Sequence, residues 1–205
     1  CSSDLVAKMY VSALKSFFSQ WWVIIICSYA ILWEVQILVI WPIETKIFSD
    51  STITIASCLF LPHAVRVIGA WLFGPKVIFA LFPIALLTHL QLVQKTLLQL
   101  SFSDLVAVVT GVICAPLALE VMKVMRIDAY PKEEGIISWR TLVFVGFVSS
   151  IINSFLSTLA FSGMFPVEDT LSVLGRYVVG DVLGLVVVLL AITFGARQYR
   201  KVNNV

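Results

Sequence analysis

Apolar residues run along this chain in long unbroken blocks, and polar residues gather in short intervals between them. The blocks do not alternate, and each is far longer than the roughly ten-residue strand of a membrane barrel, so they predict helices. A bilayer core needs about 20 largely apolar helical residues. Six stretches approach that length, at residues 21–41, 52–73, 77–94, 105–125, 141–164 and 175–196. Trp21 and Trp41 flank the first as interfacial aromatic belts do. Upstream, Val6, Met9, Ala13 and Phe17 recur at helical spacing among Lys8 and Lys15, the pattern of a short interfacial helix.

The predicted organisation is all-α. Residues 1–18 form a leader or interfacial segment, 19–196 one six-helix transmembrane domain, and 197–205 a cytoplasmic tail. Residue 1 is Cys, so residues 1–8 read as foreign or processed sequence, with Met9 the alternative start.

Composition narrows the picture further. Apolar residues make up 60% of the 205 and charged residues 13%, against about 45–50% and 25% in ordinary soluble domains. A globule this small cannot hide so much apolar surface from water. Soluble, disordered, collagen-like and disulfide-rich classes are excluded. Cys1, Cys27, Cys58 and Cys114 lack metal-ligand spacing, and three lie in apolar runs, where a free cysteine behaves as a small hydrophobe.

Charge placement sets an orientation. With the N-terminus cytoplasmic, one side holds Lys8, Lys15, Lys76, Lys123, Arg126, Lys132, Arg140, Arg197, Arg200 and Lys201, and the other only Lys46 and Lys95. That bias predicts N-in, C-in topology. Because the basic residues are spread as topology requires, no nucleic-acid partner is expected. No phosphate-cradling glycine motif occurs, and no Ser–His arrangement suggests an intramembrane protease. The expected class is non-enzymatic.

Ionisable residues within spans are costly in lipid, so they face a bundle interior or a wet cavity. Here they are Glu34, His63, Arg66, His89, Glu120, Arg176 and Asp181, with Asn153 as a neutral companion. Arg66 reads either as half of an ion pair with Glu34 or Asp181, or as the centre of an anion site, since its planar fork offers paired donors. The expected ligand-binding set is Arg66, His63, Asp181, Glu34 and Asn153. Pro62 removes a backbone hydrogen bond and disfavours helix at Leu61, which predicts a kinked or broken second span. Gly180 and Gly184 form a small-xxx-small pair suited to close approach of another helix, with Asp181 beside that seam and in need of a buried partner. No metal or cofactor is expected; the one candidate cofactor is a haem held between His63 and His89.

Two segments carry a resemblance. LPHAVRVIGAWLFGPK, at 61–76, and GRYVVGDVLGLVVV, at 175–188, are similar to stretches of bacterial membrane-associated sensor domains of MASE type. The resemblance implies a multi-helix domain of the bacterial inner membrane that senses a signal, and it points at Pro62, Arg66, Gly180, Asp181 and Gly184. The chain departs from the family in having six expected spans where about eight are usual, and in ending without an output domain. The function expected is binding of a small ligand in an intramembrane polar pocket, passed on through helix packing; the alternative is a transporter or substrate-capture subunit. The expected partners are the lipid bilayer and either a separate signalling or transport protein or a second copy in a homo-oligomer.

Overall fold

The computed structural model describes residues 20–47, 57–127, 129–131, 139–160 and 167–202. Among them every regular element is helical. Helix α1 spans Trp21–Ile47 and contains a π-helical stretch at Gln36–Ile40. A short α2, Pro62–Phe73, leads through a 3-10 turn at Gly74–Lys76 into α3, Val77–Val93. The remaining helices are α4, Phe102–Val124, α5, Trp139–Ala160, and α6, Val167–Val202.

Five helical runs are long and apolar enough to cross a bilayer: Trp21–Ile47, Pro62–Val93, Phe102–Val124, Trp139–Leu159 and Val173–Val202. Six crossings were expected, and the difference lies in the second. Its helix does not pass through Pro62 but starts there, with residues 57–61 non-helical; 52–56 lie outside the described residues. At the first helical position, proline's fixed φ suits the helix and its missing N–H has no helical partner to lose. Leu61, which the proline was expected to push out of the helical region, keeps φ −62° and ψ −38°. The expected leader and the end of the fifth span, at 161–164, also lie outside the described residues.

The run Pro62–Val93 is not one rod. Gly74 takes φ 65° and ψ −158°, a backbone conformation that suits glycine. A Cβ on Gly69 would stand 3.0 Å from a Val77 methyl. Residues eight apart on a straight helix are separated by about 12 Å, so the chain folds back at Gly74. Inside α3 and α4, Pro83 and Pro116 are accommodated without ending the helix.

The shortest helix is the hub. Helix α2 packs against α1, α3, α4, α5 and α6, while α1 also packs on α3, α3 on α4, α4 on α5 and α5 on α6. His63, Ala64, Val67 and Ala70 of α2 are fully buried. They meet a core that includes Leu81, Val112, Ala115, Leu119, Val145 and Leu185. The outward surface is strongly apolar, with Phe79, Phe102, Leu38 and Phe194 among its exposed side chains. A surface of that kind suits lipid rather than water.

Candidate functional site

The site begins with a backbone problem. Residues 57–61 run without helical hydrogen bonds, so their polar groups need other partners. Pro42 lacks the N–H that would bond Leu38, and the α1 ladder widens there, with Trp41 N–H bonding the Gln36 carbonyl. The fully buried Gln36 side chain reaches the broken segment: its Oε1 accepts Leu61 N–H at 3.0 Å and its Nε2 donates to Ser57 Oγ at 3.0 Å. Glu44, from the end of α1, accepts Leu59 N–H at 3.0 Å and the Ser57 hydroxyl at 2.7 Å. Phe60 N–H donates to the Gly180 carbonyl at 2.9 Å.

Gly180 and Gly184 admit this segment rather than the helix expected there. A Cβ on Gly180 would collide with the Ser57 carbonyl, and one on Gly184 with the Phe60 carbonyl. The small-xxx-small pair therefore seats a non-helical backbone segment against α6.

Helix α2 begins where the segment ends, and its first turns carry His63 and Arg66. The guanidinium of Arg66 lies between the rings of Tyr29 and Phe60, with its central carbon 5.6 and 5.4 Å from their centroids. One terminal nitrogen donates to the Tyr29 hydroxyl at 2.8 Å. Among the described residues the buried Nε has no acceptor. Gly111 of α4 makes room for the group, since a Cβ there would come within 3.0–3.2 Å of the guanidinium. Among the described residues no carboxylate forms an ion pair with Arg66.

The two acids expected to pair with Arg66 are engaged elsewhere. Glu34 is exposed on α1, where its Oε1 accepts from Gln91 at 3.4 Å. Asp181, 1% exposed, has its Oδ2 3.4 Å from Nδ1 of the fully buried His63. The same oxygen accepts from Ser150 at 3.1 Å and Asn153 at 3.2 Å. His63 Nε2 faces the Gly146 carbonyl at 3.3 Å. So Asp181, His63 and Asn153 converge as a group, Arg66 stands next to it on the same helix, and Glu34 does not take part.

A cavity of about 410 Å³ opens beside Arg66. Tyr29, Trp33, Trp41, Phe60 and Tyr177 supply aromatic walls, and Arg66, Asn153, Ser157 and Asp181 polar ones. Its other end is bounded by His89 and Asp104. Asp104 closes the N-terminus of α4 by accepting from Ser101 N–H at 2.9 Å, and it also takes Lys95 Nζ at 2.7 Å and His89 Nε2 at 3.0 Å. Since Gly111 lies seven residues after Asp104, the two ends are about 10 Å apart along α4.

His63 and His89 therefore have separate partners, and His89 borders the cavity whereas His63 stands behind Asp181. Residues that sequence reasoning passed over are Gln36, Glu44, Ser57, Tyr29 and Gly111. Gln36 carries the one available signal, as an amide within an apolar run just ahead of a Trp-Pro pair. No known family, curated protein or solved structure matches this chain.

Proposed function

We propose that this chain is a multi-pass protein of the bacterial cytoplasmic membrane that binds a small carboxylate in the cavity beside Arg66. The observation that carries this reading is a guanidinium held between two aromatic rings at the edge of an open cavity, with no carboxylate partner and an unpaired Nε among the described residues. Its planar donors match a carboxylate two bonds at a time, and partial burial strengthens each.

In this reading the chain crosses the bilayer six times, with both termini inside. Helix α2, about 18 Å long, and the non-helical residues 57–61 that precede it together make up the second crossing in this reading. The fold-back at Gly74 supports counting α2 and α3 as two crossings. The bias of basic residues supports the orientation. Occupancy then alters the packing of α2, which touches five other helices, in keeping with the sensor-type resemblance.

One observation favours transport instead. A non-helical segment that leads into a half-helix beside a polar cavity is the arrangement by which discontinuous helices line transport sites. Proteoliposome uptake separates the two readings, because a sensor binds without flux. The binding proposal itself is tested by melting the detergent-purified protein with acetate, succinate or benzoate. Binding raises the melting temperature by an amount that grows with the logarithm of ligand concentration above Kd, and Arg66→Lys reduces that rise. A folded Arg66→Leu protein that kept the full effect of the carboxylate would refute the site.

A further inference from the structure

We propose that His63 and Asp181 together form a proton-binding site, distinct from the Arg66 anion site and reached from the cavity through Asp181. The argument comes from what each atom is able to do. A carbonyl oxygen only accepts, so the His63 Nε2 that faces Gly146 at 3.3 Å carries a hydrogen. In neutral imidazole the other nitrogen, Nδ1, then presents a lone pair. Asp181 Oδ2 lies 3.4 Å from it, and among the described residues this buried nitrogen has no hydrogen-bond partner. A lone pair against an ionised oxygen, both almost fully buried, is repulsive, and water cannot screen it. One added proton turns the contact into a charge-assisted hydrogen bond. Asp181 Oδ2 already accepts from Ser150 and Asn153, so the added proton rests on Nδ1 and makes an imidazolium–carboxylate pair.

The surroundings give the proton a route and a control. Asp181, Asn153 and Ser157 border the cavity, whereas His63 lies behind them. A proton therefore enters by way of the carboxylate. The titratable groups around the pair are Arg66 on α2, Cys114 on α4 and Tyr177 on α6, with Tyr29 of α1 bonded to Arg66; α5 contributes only neutral Ser149, Ser150 and Asn153. Among these Arg66 is the permanent charge, one turn along α2 from His63. Its positive field opposes a second positive charge on the imidazole. Cancelling that field, by an anion or by substitution, strengthens the hold on the proton, so anion and proton bind cooperatively.

The chain contains two histidines, which makes nitrogen NMR of histidine-labelled protein direct. Full-length protein is labelled at histidine nitrogens and aspartate carboxyl carbons, and its imidazole signals are assigned by His63→Gln. At pH 6–7 the expected spectrum shows His63 protonated on both nitrogens. In Asp181→Asn the His63 midpoint falls by about one pH unit or more, and in Arg66→Gln it rises by about half a unit or more. Wild-type protein with Nδ1 bare and Asp181 ionised at pH 6 overturns the proposal, whether or not the variants fold. An unchanged midpoint in folded Arg66→Gln overturns the cooperativity. These readouts use no carboxylate, so they stand apart from success or failure at the anion site.

Discussion

Gln36 of α1 holds the amide of Leu61 with its side-chain oxygen at 3.0 Å, immediately before the proline that starts α2. This contact, with those of Glu44 and Gly180, lets non-helical backbone sit among packed helices. Backbone groups that turn away from their own helix in an apolar setting must be satisfied by neighbours.

Replacing Gln36 with Leu strands the Leu61 N–H and removes a donor to Ser57. The expected loss is about 1–3 kcal/mol for the buried unpaired group, read as a lower melting temperature in detergent. A Gln36→Leu protein as stable as wild type would mean that the segment has other partners.

Gly184→Ala drives a methyl into the Phe60 carbonyl, and Gly180→Ala drives one into that of Ser57. Backbone cannot rotate aside as a side-chain end does, so each is expected to cost about 2 kcal/mol. Gly175→Ala is the control. Among the described residues nothing lies within 4 Å of its added methyl, and alanine's helix preference predicts a gain of up to about 1 kcal/mol. Equal effects at all three positions would contradict the packing described.

Gly111→Ala separates binding from folding. The atoms nearest its methyl belong to the end of the Arg66 side chain, which is able to swing away. Stability is expected to change little, while affinity for the carboxylate falls roughly tenfold, about 1.4 kcal/mol. Calorimetric titration alongside a melting curve checks both halves.

Outside the helices, Tyr130 donates its hydroxyl to Glu120 at 2.7 Å. Burial, together with the Glu120 hydrogen bond and charge, pushes its pKa from 10.0 up to about 12. A raised folded-state value means that this contribution is complete below pH 10 and fades as pH climbs towards 12. Wild-type protein is expected to lose melting temperature across that window more steeply than Tyr130→Phe. Parallel curves would show that the contact contributes nothing.

Long apolar runs determine helices without tertiary help, because each residue's neighbours in sequence satisfy its backbone groups. Hence the apolar helical class, the start of α3 at Val77 and a helix boundary at Pro62 were readable in the chain. Asp181's need for a buried partner was readable too, from the cost of placing a carboxylate among apolar residues.

The identity of partners was not readable. Asp181 and Glu34 are equally acidic on paper, yet α1 turns Glu34 outward to Gln91 while α6 turns Asp181 inward to His63. Helix rotation decides such choices, and rotation follows from the packing of whole faces. Gly180 and Gly184 announce a close approach without saying what approaches. The three-dimensional fold supplied residues 57–61, and Gln36 and Glu44, distant in sequence, made that placement affordable in hydrogen bonds. The one-dimensional chain thus determined which segments are helical and which residues are too polar to face lipid. Only tertiary packing decided which of those residues meet, because contacts between distant residues depend on every helix at once.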